Sequence, residues 1–211
     1  MAVGEYGTTN RARLTCSRAL CGVVAGACVS AASAADLSFR LADPQGRMLD
    51  GAVVSLLPLR GNALPAPRPA HIEQVDKAFH PLVSVVQVGT AVDFPNNDRV
   101  RHHVFSFSSA KVFELKLYAG RPAQPVVFDK PGVVVLGCNI HDRMLAYVVV
   151  VETPWSAVAG TDGLARLRGV PAGEYTMQVW HPQRLGKPDL PARALRVAGD
   201  LSESLVVDLK Q

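Results

Sequence analysis

Leu37, Phe39 and Leu41 recur at every second position and so share one face, the period of a strand with one buried side. Asp43-Pro44-Gln45-Gly46 then reads as a turn and residues 52–57 as the next strand, so that 37–58 has the pattern of a hairpin. Residues 61–69 form a Pro-rich connector, expected to be extended and exposed. Beyond it, strand signals follow one another at 83–88, 91–94, 103–107, 112–118 and 125–128. Within 112–118, Phe113, Leu115 and Leu117 alternate with polar neighbours. Residues 132–136 and 147–151 are continuous apolar runs, which suit strands buried on both faces. Further on, Thr161-Asp162-Gly163 is a turn, 164–167 a strand, 170–175 a tight connection, 176–180 a strand with Tyr175, Met177 and Val179 on one side, and 205–209 a last strand. Short strands at this spacing predict an antiparallel all-β sandwich or barrel.

Composition agrees, with 17 glycines and 15 prolines and few aromatics for a hydrophobic content of 48%. The formal net charge is +4, of which Arg11, Arg13 and Arg18 against Glu5 supply half. What remains is too small to argue for a nucleic-acid partner. Those arginines precede an uncharged small-residue stretch, 19–34, that ends in Ala32-Ser33-Ala34. This is the pattern of a cleavable export signal over residues 1–34, and it predicts a periplasmic or otherwise exported protein with no integral membrane span after cleavage. Cys16, Cys21 and Cys28 lie in the signal, so Cys138 would be the one cysteine left. A single thiol in an oxidising compartment is exposed to oxidation unless a metal occupies it or the core buries it, and the count alone leaves both open.

The segment Gly137-Cys138-Asn139-Ile140-His141-Asp142-Arg143-Met144 places thiolate, imidazole and thioether three residues apart, where one tight loop after a strand can turn them to a common point. That soft donor set suits copper, whereas zinc would recruit a second cysteine or more histidines. A fourth group has to come from elsewhere, and His102 or His103, on a strand entry some forty residues upstream, supplies it. Met144 as a core filler and Cys-x-x-His as a chance spacing are the bland alternatives. His71, His80 and His181 have no motif around them and read as surface or packing residues.

Phe94, Asn96, Asp98, His102 and Val104, followed by Cys138, His141 and Met144, give the order Phe-x-Asn-x-Asp-x-x-x-His-x-Val … Cys-x-x-His-x-x-Met. In this the chain resembles the plastocyanin and amicyanin family of cupredoxins, with the Met spacing of the amicyanin form. The runs 102–108 and 129–142 make it similar, more narrowly, to bacterial plastocyanin-like proteins labelled methylamine utilisation. The resemblance implies a cupredoxin-type Greek-key β-sandwich over residues 72–153. It also implies one type 1 (blue) copper held by His102, Cys138, His141 and Met144, and single-electron transfer between redox partners rather than enzymatic catalysis. The position after the first histidine, commonly Asn in amicyanin-like proteins, is His103 here. The offset from Asp98 favours His102 as ligand, while strand parity favours His103, which shares a face with Phe105 and Phe107, taken as core. Residues 36–60 and 154–211 resemble the two parts of a carboxypeptidase-regulatory-like β-sandwich, from the Asp-Pro-Gln-Gly turn to the Asp-Gly turn and the Pro-Ala-Gly-Glu-Tyr strand. That likeness implies a second small sandwich into which the copper domain is inserted through the linker 61–71. Trp155 and Trp180 are then contact residues or core. A periplasmic copper chaperone, or a β-sandwich interaction protein with a vestigial copper site, is the rival function.

Overall fold

The structure, a computed structural model, describes residues 34–60 and 64–210, so the segment read as an export signal and the start of the Pro-rich connector lie outside the described residues. Its strands are β1 (Ala34–Ala42), β2 (Val53–Pro58), β3 (Ala70–His71), β4 (Glu73–Val75), β5 (Ala78–His80), β6 (Val83–Gln87), β7 (Thr90–Asp93), β8 (His102–Ser108) and β9 (Lys111–Tyr118). They continue with β10 (Val126–Phe128), β11 (Gly132–Gly137), β12 (Leu145–Val151), β13 (Ser156–Val158), β14 (Leu164–Pro171), β15 (Gly173–Trp180), β16 (Arg193–Val197) and β17 (Leu201–Val206). Among the described residues the helical element is one turn, Pro182–Arg184, and no helix is long and apolar enough to cross a membrane.

The first sandwich is made by both ends of the described chain. In one sheet β1 lies between β14 and β17, and in the facing sheet β2 lies between β13 and β15, with β16 beyond. Every second residue of β1 points inward, so Leu37, Phe39 and Leu41 meet Val54 and Leu56 of β2, Leu167 of β14 and Met177 of β15 in one core. Residues 37–58 are therefore not a hairpin: β1 and β2 sit in different sheets because each needs an apolar cover for its inner face. The turn itself is present, with Gly46 donating its N–H to Asp43 O at 2.9 Å. Gly163, in the Asp-Gly turn, has φ +70°, and a Cβ there would stand 2.5 Å from the Leu41 carbonyl. The last strand begins at Leu201 rather than 205, and β16 was missed, since both strands carry polar residues on their outer face and few apolar ones.

The second sandwich faces the five-stranded sheet β6-β12-β11-β8-β9 against β10-β7-β3 and the β4-β5 hairpin. Its core takes Val134 and Leu136 from β11 and Ala146, Val148 and Val150 from β12. The alternate residues of β12, Tyr147 and Val149, are buried as well, against Val53 of β2 and Val83 of β6, with the Trp180 ring 5.6 Å from that of Tyr147. The unbroken apolar run of β12 thus has two faces to fill, one inside its own sandwich and one against the first sandwich. The chain leaves the first sandwich after β2 and returns at Thr153, whose hydroxyl donates to Leu56 O at 2.7 Å and accepts from the Trp155 N–H. The all-β sandwich architecture expected from the sequence is what these strands build.

Candidate metal centre

Three elements converge at one end of the second sandwich. The first is the segment entering β8. Asn96 pins it, donating from Nδ2 to Val100 O and Tyr118 O, both at 2.9 Å, and accepting the Asp98 N–H at 3.0 Å. Asp98 in turn receives the N–H groups of Asp76 and Lys77, at 2.8 and 2.9 Å, from the β4-β5 turn. Its Oδ2 lies 2.7 Å from His102 Nε2. Partial burial works to raise the Asp98 pKa, but the Lys77 N–H, the His102 ring and the Asp76 N–H outweigh it and hold the carboxyl below its ordinary 3.8. A carboxylate only accepts, so Nε2 is the protonated nitrogen of His102, and in the neutral ring Nδ1 keeps its lone pair.

That Nδ1 faces Cys138 Sγ at 4.0 Å. Cys138 directly follows β11, is buried with a free thiol, and lies 3.9 Å from His141 Nδ1. The two imidazole rings are 4.9 Å apart, and one donor atom from each of His102, Cys138 and His141 falls within 4.8 Å of the others. His102 is fully buried, whereas His141 is only partly covered. The loop closes with the Met144 N–H on His141 O at 2.9 Å, which turns the Met144 side chain into the same core cluster as Cys138. Just before Cys138, a Cβ on Gly137 would lie 2.8 Å from the Phe105 ring, so only glycine lets that ring cover the strand.

His103 points elsewhere. Its Nε2 lies 2.8 Å from Glu114 Oε1 and its ring 5.4 Å from that of Phe105. Strand parity favours His103 only if Phe105 and Phe107 belong to the core, but Phe107 is 81% exposed and the inward face of β8 is His102, Val104 and Ser106. A bulge alters β9 similarly. Between Leu115 and Tyr118 it carries one residue more than β8 opposite, which turns Leu117 outward and brings Tyr118 in. The Tyr118 hydroxyl donates to Phe94 O at 2.6 Å and accepts from buried Gln74. Burial pushes its pKa up to about 12. In the sequence Asp98 stands out only as part of the spacing motif. Its position four residues before His102 was the available sign that the two side chains pair. Gln74, Tyr118 and Glu114 gave no such sign. His181 is a packing residue of the first sandwich, and His71 and His80 are exposed. Trp155 packs edge-on against Tyr175, 5.6 Å between centroids, and Trp180 on Tyr147, so both belong largely to the cores.

Part of the chain is similar to solved copper proteins. It aligns with a copper-containing nitrite reductase from Thermus scotoductus SA-01 at 27% identity and a TM-score of 0.38, over 45% of this chain and 25% of that one. It also aligns with a purple cupredoxin from Nitrosopumilus maritimus at 26% identity and TM-score 0.34, over 39% of this chain and 99% of that one. An amicyanin aligns at 17% identity and TM-score 0.36, over 48% of this chain and all of its own. The chain therefore spans a quarter of the nitrite reductase. No protein-family model matches the chain, and no curated protein matches it.

Proposed function

We propose that this chain is an exported type 1 copper protein that carries single electrons between redox partners. The observation that carries the reading is the convergence of His102, Cys138 and His141 at the buried end of a β-sandwich. The donor set fits one ion. Two donors share a metal only if their separation is below the sum of the two bond lengths, about 2.3 Å to sulfur and about 2.0 Å to nitrogen for a borderline metal such as zinc. The Sγ–Nδ1 separations of 4.0 and 3.9 Å meet that limit. One thiolate with two imidazoles and a thioether is the combination that suits copper over zinc. His102, Cys138 and His141 would hold the ion, with Met144 as a fourth, weaker donor. Bound there, the ion supplies a one-electron couple.

The chain's own groups set the conditions for that couple. Asp98 fixes the His102 tautomer, and the sandwich walls restrict ligand movement as the charge changes. Water is excluded from the His102 side, while partly exposed His141 is the route to a partner. With Met144 in the fourth place no position is left for a substrate, so the reading is electron carriage rather than catalysis. Export follows from residues 1–34 as a signal, and ligation explains how a lone Cys138 survives an oxidising compartment. Residues 36–60 and 154–211 would form the carboxypeptidase-regulatory-like sandwich, a reading supported by the pairing of β1 with β14 and β17 and of β2 with β15. The test is the visible spectrum after adding Cu(II) to the mature protein and to its Cys138→Ala variant. The expected result is an intense thiolate-to-copper band, lost in the variant and bleached reversibly by a one-electron reductant. A colourless protein, or colour that survives the substitution, would overturn the reading.

A further inference from the structure

The outer face of the five-stranded sheet is only half covered. Tyr147 and Val149 of β12 pack on the first sandwich, with Val133 and Val135 of β11 beside them. The same face continues onto β8 and β9, where Phe107 is 81% and Val112 66% exposed. Phe105 lies partly covered next to Phe107, with 5.1 Å between ring centroids. Here the sheet is hollowed into a groove of about 420 Å³, whose walls include His103, Phe105, Phe107, Val112, Glu114 and Asn139. Small-molecule sites span roughly 300–1,000 Å³, so one ring system with its substituents fits. The register sets Phe107 opposite Val112 and Phe105 opposite Glu114, so the groove runs from an apolar end to a polar one. At the polar end Glu114 Oε1 accepts from His103 Nε2 at 2.8 Å. Glu114 Oε2 has no partner among the described residues, on a side chain 56% exposed, and His103 Nδ1 is buried without one. This end therefore offers acceptors and a negative charge, and the ligand it suits is neutral, flat and apolar with an O–H donor.

The place of the groove adds a redox requirement. The Phe105 ring lies on Gly137, where a Cβ would stand 2.8 Å from it, and Asn139 lines the same groove. Those two residues flank Cys138, and His103 follows His102. A ring seated here is next to the backbone on either side of Cys138. Resting on the copper reading, we infer that the groove binds a hydroquinone, which is the electron donor to the centre. Its ring packs on Phe105 and Phe107, and one hydroxyl donates to Glu114 Oε2. In each step one electron reduces Cu(II) to Cu(I), while the O–H bond breaks and its proton passes to the Glu114 carboxylate and on to solvent. The redox partner then takes the electron and restores Cu(II). Two such steps turn the hydroquinone into the quinone, with loss of two electrons and two protons.

The first measurement needs no metal. The metal-free mature protein is titrated anaerobically with duroquinol by isothermal calorimetry, and with duroquinone, which keeps the ring but has no O–H to donate. Duroquinol should bind at one site, and duroquinone about tenfold more weakly or worse. Glu114→Gln should weaken duroquinol about fivefold or more and Phe107→Ala about threefold or more. Both side chains are largely exposed, so neither change disturbs a core. In the copper-loaded protein, reduction by duroquinol should saturate with its concentration, at the affinity measured by calorimetry, and the two variants should saturate correspondingly later. No binding, or equal binding of duroquinol and duroquinone that both variants leave unchanged, would overturn the inference and leave the copper reading standing. A dimer that Phe107→Ala dissociates would overturn it too, by showing that a second copy fills the groove. Duroquinol bound by a protein that never develops the thiolate-to-copper band would remove the copper reading, and the donor role with it.

Discussion

β12 is the strand whose two faces separate the two sandwiches, and adjacent residues on it test whether they act as one body. Val148 is fully buried in the core of the second sandwich, and Val149 is 6% exposed, against Val53, Val83 and Tyr147. Truncating either to alanine removes two methyl groups, about 0.8 kcal/mol each in transfer, and leaves a cavity, for a total of about 2–3 kcal/mol. For a unit of this size that corresponds to a fall in Tm of about 4–12 °C. Were the first sandwich not seated on β12, Val149 would lie on a solvated sheet face and its truncation would change stability by about 0.5 kcal/mol or less. Urea unfolding of wild type, Val148→Ala and Val149→Ala therefore decides the point. The expected outcome is a similar loss for both variants in one transition. A cycle with Val53→Ala, across the contact, should also give a coupling of at least about 0.5 kcal/mol. A near-neutral Val149→Ala beside a costly Val148→Ala would refute the packing. The consequence reaches the candidate metal loop, because residues 138–144 are strung between β11 and β12 and held by whatever holds those strands.

Two other perturbations probe the polar framework. Asp98→Asn keeps the shape of the side chain but removes a negative charge 2.7 Å from His102 Nε2, so copper affinity should fall about 10–100-fold and the reduction potential should rise. An unchanged affinity and potential would show that Asp98 serves only the β4-β5 turn. The depressed Asp98 pKa also gives a stability that is complete above 3.8 and lost as pH falls through the lower folded value, and Asp98→Asn should lack that loss in apo-protein acid titrations. His181 uses both ring nitrogens as a neutral imidazole, Nε2–H to Asp50 O at 3.1 Å and Nδ1 accepting the Gln183 N–H at 3.2 Å. Burial lowers its pKa below 6.5, partly offset by the Asp50 carbonyl. The unfolded chain then takes up the proton first, so stability is complete above 6.5 and declines below it. Tm measured between pH 7 and 5 should fall more steeply for wild type than for His181→Gln, and parallel slopes would contradict this.

Much of the centre was legible in the sequence, because Cys138, His141 and Met144 lie within one loop and local spacing fixes what a single turn can bring together. The strands were legible for the same local reason: period two for β1, and continuous apolar runs for β11 and β12. What failed in each case involved a partner distant in the chain. Leu117 was expected to be inward until the bulge opposite β8 shifted the parity, and Phe107 was expected in the core because no local feature distinguishes a face that the sheet leaves uncovered. The separation of β1 and β2 into different sheets depends on β14 and β15, which arrive more than a hundred residues later. By itself the sequence determined the donor types, their spacing and the alternation of the strands, all properties of neighbours along the chain. Only the tertiary structure decided that His102 rather than His103 joins Cys138 and His141, that Asp98 orients it, and that β12 serves two cores, because register and layer order are settled by which distant surfaces bury one another.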